Sequence, residues 1–215
     1  MRARIPVAPE GWPFIVVPAG GAFLLWALGW GTPTPTIGAA LLAGIALACL
    51  FFFRDPERTP PAVPGAVLAP ADGRVREVRE LYDPFVGEAV RVSIFLSPLD
   101  VHVNRSPVAG LVTEVEYRPG RFLAAYRPEA SEQNERCRIA LQGETARVAV
   151  SQIAGVVARR VVCRARPGDK LRAGERFGLI RFGSRTDLCV PKGTVLRSRP
   201  GDKVRGGETI VGVLQ

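Results

Sequence analysis

Apolar residues are spread along this 215-residue chain in two different ways. Near the N-terminus they run unbroken: residues 14–30 and 37–53 are two uncharged stretches of 17 residues each. That is the short end of what crosses a bilayer as a helix. Between them Gly31-Thr32-Pro33-Thr34-Pro35-Thr36 predicts a turn, so residues 1–53 read as an apolar helical hairpin that anchors the chain in a membrane. Pro18, Gly20 and Gly21 weaken the first stretch as a helix, so a hairpin dipping into one leaflet stands beside a full crossing. The second apolar run follows too closely for a cleaved signal peptide. Residues 54–65 form a Pro-rich linker. Beyond it the pattern changes to short runs rich in Val, Ile, Leu and Phe, at 66–68, 75–78, 89–96, 111–117, 136–141, 146–153 and 156–163. Turn residues separate these runs, which predicts a mainly β domain over 66–215. Residues 121–135 start apolar and turn polar, and predict a loop beside a substrate.

One motif occurs twice. Pro167-Gly168-Asp169-Lys170 leads to Glu175, and Pro200-Gly201-Asp202-Lys203 leads to Glu208. In each, Pro-Gly-Asp turns the chain and the Lys-hydrophobic pair starts a short strand. Each copy then leads into a buried strand, 176–182 or 209–214. Paired units of this kind resemble the hammerhead strands of biotinyl and lipoyl carrier domains, and imply a β-sandwich or barrel-like, barrel-sandwich-hybrid fold. Pro70-Ala71-Asp72-Gly73 is a third, related turn.

Charge then narrows the partners. Residues 1–53 carry a net +1, and the remaining 162 residues carry 27 basic and 19 acidic side chains. Beside an apolar anchor, this basic balance favours an anionic membrane surface over nucleic acid, for which no aromatic-interleaved basic motif exists. Arg2 and Arg4 precede the hairpin and Arg54 and Arg58 follow it, which places both ends, and the β domain, on the cytoplasmic face of the cell membrane. Cys49, Cys137, Cys163 and Cys189 match no metal-binding or redox spacing and are expected as free thiols. With one histidine in the chain, histidine-rich metal chemistry is excluded, and no metal is expected.

That histidine is His102. In an extended chain Asp100, His102 and Asn104 share one face, where a carboxylate can fix an imidazole tautomer; the alternative is a mixed polar surface strand. Asp72 by itself reads as turn chemistry. Arg181-Phe182-Gly183-Ser184-Arg185 reads as a turn or as a reaction site. As a reaction site, the Ser184 hydroxyl attacks the Gly183 carbonyl, glycine tolerating the bent backbone and a base taking the proton. His102 is the only histidine able to do so. The resulting ester can lose the upstream chain by β-elimination, and the dehydroalanine left behind hydrolyses to a pyruvoyl ketone.

Pro-Ala-Asp-Gly at 70–73, Leu-Ser-Pro-Leu-Asp-Val-His at 96–102, and Phe182-Gly183-Ser184-Arg185 followed by Asp187-Leu188-Cys189-Val190-Pro191 together resemble the phosphatidylserine decarboxylases, in their short, bacterial and archaeal-type branch. The resemblance covers essentially the whole chain. It implies decarboxylation of phosphatidylserine to phosphatidylethanolamine after self-cleavage between Gly183 and Ser184, leaving a β chain of 1–183 and an α chain of 184–215. Ser184 becomes the pyruvoyl group that forms a Schiff base with substrate, without pyridoxal phosphate. The resemblance also implies that His102 serves the decarboxylation step and that Asp72 belongs to an Asp-His-Ser processing relay. Asp100 competes to orient His102. Longer members carry His-x-x-His here, and Arg105 stands at the second position. Arg181 and Arg185 flank the junction and are candidates for the substrate phosphate or carboxylate, or are ordinary strand-edge charges. A homo-oligomer stays open. The rival reading is a non-enzymatic, membrane-anchored β-sandwich carrier or adaptor, but Lys170 and Lys203 lie at strand starts rather than hairpin tips.

Overall fold

The computed structural model describes residues 6–29, 33–123, 129–155, 160–181 and 184–215, which fall into two compact units, Met1–Glu57 and Arg58–Gln215. In the first, α1 (Trp12–Leu28) and α2 (Pro33–Phe52) pack on each other. The contact uses small residues: a Cβ at Gly21 would lie 3.0 Å, and one at Gly38 3.1 Å, from a leucine methyl of the other helix. Phe53 is fully buried, stacks on Phe14 at 5.6 Å, and accepts a 2.8 Å bond from the Ala8 amide. The outward faces are apolar, with Val17, Phe23, Leu28, Leu41 and Leu47 exposed, and both helices are long and apolar enough to cross a membrane. The expected turn is shorter than its sequence suggested. Pro33, Thr34, Pro35 and Thr36 already belong to α2, because the first helical turn has no amide partner to lose and tolerates proline. Pro18 likewise lies inside α1.

The second unit carries β1 (Ala66–Leu68), β2 (Gly73–Asp83), β3 (Gly87–Leu96), β4 (Val103–Arg105), β5 (Gly110–Arg118), β6 (Arg136–Gly143), β7 (Arg147–Ile153) and β8 (Arg160–Cys163). It continues with β9 (Lys170–Leu171), β10 (Arg176–Arg181), β11 (Ser184–Pro191), β12 (Val195–Leu196), β13 (Lys203–Val204) and β14 (Ile210–Val213). A curled antiparallel sheet runs β13-β2-β3-β11-β7-β6-β5-β9; two smaller sheets run β1-β14-β12 and β4-β10-β8. Inward-facing Val75, Val92, Ile94, Ile139, Leu141, Val150 and Leu188 join Phe177 and Val211 in one core. The mainly β domain with an N-terminal apolar helical hairpin is thus borne out. Residues 58–65, read as linker, belong to the β unit: Arg58 bonds Asp72 and the Gly206 carbonyl.

The repeated motif marks a duplication that the backbone follows closely. Lys203 pairs with Arg74 as Lys170 pairs with Leu111, each at the start of its long strand. The Val75 and Val112 amides donate to the carbonyls of Asp202 and Asp169, at 2.9 and 2.8 Å. One bulge follows in each strand, between Val75 and Glu77 and between Val112 and Glu114. Pro70 O accepts from the Arg105 amide and Pro107 O from the Leu68 amide, both at 2.9 Å, so the halves grip each other reciprocally. In sheet order the halves mirror each other, with β11 and β7 adjacent at the middle.

Gly168 and Gly201 hold φ of 95° and 99°, and a Cβ there would meet no neighbouring atom. Gly168→Ala and Gly201→Ala should therefore each cost about 1–2 kcal/mol from backbone strain alone. Urea denaturation in detergent should show equal losses in the two halves; a large difference would contradict their equivalence.

Candidate active site

The segment 96–105 holds both sides of the junction singled out in the sequence. Upstream, β10 is bonded to it: the Ile180 amide donates to His102 O at 3.2 Å, and β10 pairs with β4 from Leu179 to Arg176. Downstream, β11 begins at Ser184, whose main chain pairs with Leu96 at the end of β3. Gly183 lies outside the described residues; Ser184 is described by its main chain. The chain therefore leaves the His102 segment at β10 and returns to it at Ser184 within a few residues. The sequence had not suggested that 184–191 is a strand in the middle of the large sheet, paired with β3 on one side and β7 on the other.

His102 is fully buried. Its Nδ1 lies 2.9 Å from the Asp100 carbonyl oxygen, which only accepts, so Nδ1 carries the proton and Nε2 is the basic nitrogen. The orienting group is thus the main chain of Asp100. Its carboxylate, expected to face the imidazole, instead accepts from the Ser97 amide at 2.8 Å and closes the 97–100 turn. A short acid that accepts from the amide three residues before it is satisfied within its own turn.

Asn104, Gln152 and Thr186 form a buried amide chain across three strands, none of them exposed to solvent. Gln152 Nε2 donates to Asn104 Oδ1 at 2.8 Å, and Asn104 Nδ2 donates to Thr186 Oγ1 at 3.2 Å. A Cβ at position 178 would lie 2.6 Å from Gln152 Nε2, so Gly178 makes the room. The chain ties the His102 segment to β11 two residues past Ser184. Sequence reasoning placed Asn104 on the His102 face but missed Gln152 and Thr186, which look like ordinary strand residues.

Asp72 is held in its turn by two donors: Arg58 at 2.8 Å and the Gly206 amide at 2.8 Å. Gly206 approaches so closely that a Cβ would lie 3.0 Å from Ala71 Cα. Pro70, two residues before Asp72, bonds the Arg105 amide, so this turn abuts the His102 segment. Arg105 is buried and donates to Gly174 O at 3.1 Å, bridging to the other copy of the repeated turn. Arg58 was read as a flanking charge; its partner 14 residues away is visible only in three dimensions.

Arg185 is buried, donating to Asp187 at 2.6 Å and to Ser93 Oγ at 2.7 Å. A substrate anion there would compete with the Asp187 carboxylate for the guanidinium. Arg181 ends β10 opposite Arg160. Lys170 and Lys203 are locked in β9 and β13. The four cysteines are free thiols, yet Cys137 and Cys163, far apart in sequence, are hydrogen-bonded to each other. That bond raises the Cys137 pKa and lowers that of Cys163. Burial, helped by Asp83 and Asp187, pushes the Cys189 thiol up to about 12. Among the described residues no cluster of three or more His, Cys, Asp or Glu side chains is placed to hold a metal ion.

Comparison with known proteins defines the class. The family profile for phosphatidylserine decarboxylase matches residues 45–212. The chain is 50% identical over 221 residues to the phosphatidylserine decarboxylase proenzyme of Symbiobacterium thermophilum, covering 100% of this chain and 98% of that protein. The proenzymes of Chlorobium phaeobacteroides and Burkholderia multivorans are 49% and 43% identical, over 80% and 97% of this chain and 81% and 96% of theirs. The chain belongs to the phosphatidylserine decarboxylase family of carboxy-lyases.

Asn104→Leu removes one donor and one acceptor from fully buried partners and should cost about 2–4 kcal/mol in denaturant unfolding. Thr186→Val keeps the shape, loses one acceptor, and should cost about half as much. Equal, negligible losses would show that the amide chain is not a structural tie. The thiols offer a second check. A lowered pKa populates thiolate at lower pH, so Cys163 should alkylate before Cys189 with iodoacetamide at pH 8, read by peptide mass; Cys189 reacting first would contradict the geometry.

Proposed function

We propose that this chain is a membrane-anchored phosphatidylserine decarboxylase that cuts itself between Gly183 and Ser184 and works at the cytoplasmic face of the membrane. The observation that carries the reading is the double tether: β10 and β11 both bond to the segment that bears the only histidine, one on each side of the junction. In self-cleavage the Ser184 hydroxyl attacks the Gly183 carbonyl, and His102 Nε2 takes its proton. The N–C bond breaks as the ester forms. β-Elimination then releases residues 1–183 with a free carboxylate and leaves a dehydroalanine at residue 184, whose imine tautomer water hydrolyses to a pyruvoyl group with release of ammonia.

The residues present fit such a group. Ser184 heads a central strand fixed on both edges by main-chain pairing, so its position survives loss of the upstream bond. When formed, the ketone supplies an electron sink for carbon–carbon cleavage at an amine-bearing carbon. The other roles fall to the chain. His102, with Nδ1 held on Asp100 O, can return a proton to the decarboxylated carbon through Nε2. Asp72, accepting from Arg58 and the Gly206 amide, holds the 70–73 turn against the His102 segment. The apolar hairpin keeps the enzyme where a phospholipid substrate resides, and the basic balance of the β unit suits anionic headgroups.

Purified protein should therefore run as two pieces, residues 1–183 and 184–215, the smaller with a blocked N-terminus by mass. Ser184→Ala should stay full length and release no carbon dioxide from phosphatidylserine vesicles. An uncut wild-type chain that still decarboxylates the lipid, or an active Ser184→Ala, refutes the mechanism.

A further inference from the structure

Beside the 97–100 turn, with Ser97 and Asp100 in its wall, lies an open cleft of about 370 Å³. Its floor is Phe95, which pairs with Arg185 one step along the β3–β11 ladder from Ser184. Three cations line it: Arg74 and Arg76 from β2, and Lys203 from β13. Asp100 is the one carboxylate among the lining residues, and its Oδ2 already accepts from the Ser97 amide. The cleft thus carries a local excess of two positive charges. The cations are held in place from behind: Arg74 donates to Gly201 O at 2.7 Å, and Arg76 sits 5.7 Å over the Phe95 ring. On the same turn Leu99 is 71% exposed, a large apolar side chain beside a cationic cleft.

Fixed cations over an aromatic floor, with an exposed apolar residue on the adjoining turn, suit an amphiphile whose anionic group lies just inside its hydrocarbon. We propose that this cleft binds the phosphodiester of the glycerophospholipid substrate, with Arg76 and Lys203 as the specificity-determining contacts and Leu99 toward the acyl side. The assignment rests on the decarboxylase reading and adds what that reading lacks, a place for the phosphate. In a serine phosphodiester the amine and the phosphate are only a few bonds apart, so a phosphate site must lie close to residue 184. Ser97, which lines the cleft, directly follows Leu96, the main-chain partner of Ser184, so the cleft begins at the end of that ladder. The duplication makes the same point by contrast. The position matching Arg74 in the other half is Leu111, and that matching Arg76 is Thr113, so the equivalent corner has lost both arginines.

The test uses full-length protein with Arg76→Gln and Lys203→Gln, each first checked by mass for the cut before residue 184. Calorimetry with glycerophosphoserine, which has the phosphodiester but no acyl chains, should show binding to wild type and about tenfold weaker binding to each variant. With phosphatidylserine vesicles, KM should rise by a similar factor while kcat stays within about twofold. Leu99→Ser should raise KM for vesicles and leave glycerophosphoserine affinity as it was. Unchanged affinity and KM in both charge variants overturns the cleft assignment and leaves the decarboxylase reading standing. Inorganic phosphate binding as tightly as glycerophosphoserine overturns it too, as a site for free anion only. Wild type that binds glycerophosphoserine through Arg76 and Lys203 but releases no carbon dioxide keeps the cleft and sinks the reaction.

Discussion

Two main-chain contacts to one short segment underlie the rest of this structure. Leu96 pairs with Ser184, and His102 O receives the Ile180 amide, so residues 96–102 clamp the chain on either side of the 182–183 stretch. Main-chain pairing of this kind is indifferent to side-chain rotamers, and it sets where every nearby group can be. The Asp100 carboxylate closes the turn on the Ser97 amide, which frees the Asp100 carbonyl to fix the histidine tautomer. Asn104 follows on the same segment and reaches Thr186 across the interior. A buried amide chain is costly unless its polar atoms are matched. Asn104 and the Gln152 amino group find partners on the strands that the clamp brings together, while Gln152 Oε1 is buried without one among the described residues.

The duplication explains why the frame is so regular and the site is not. The two halves share turns, bulges and reciprocal bonds, yet they differ where chemistry is proposed. Asp72 precedes Gly73 in one half; Ala109 precedes Gly110 in the other. Gly206, which donates to Asp72, corresponds to Ala173. A methyl at 206 would press on the backbone at Ala71, so the close approach that gives Asp72 its amide donor depends on glycine on one side only. One frame is used twice, and one copy has been fitted with an acid.

Much of this was legible in the chain, for reasons that can be named. The apolar runs and the alternating short strands follow from simple periodicity, and the paired Pro-Gly-Asp-Lys motif announced the duplication. β11 was hidden because Arg185 and Asp187 look solvent-exposed on paper; they neutralise each other within the sheet, with Ser93 taking a further donor. Arg58 was hidden inside a Pro-rich stretch whose composition reads as linker. Gln152 and Thr186 carry no local signal at all, since their meaning lies in partners contributed by other strands. Asp100 meets His102 through its main chain, which no sequence pattern announces, because its carboxylate sits at the end of a turn that claims it.

The placement of residues 184–215 also bears on how such a protein can be made. β11 lies in the centre of the large sheet, β13 at its edge, and β12 and β14 in a separate sheet. Severed before Ser184, this short C-terminal piece would stay woven through the larger one at several points, with no surface along which the two could simply part. Assembly would then be a one-way event: the precursor folds as one chain, whereas a denatured mixture of the two pieces would have to find each other in solution and thread back together. The durability of the mature form would thus be a matter of how slowly it opens rather than of an equilibrium it can revisit.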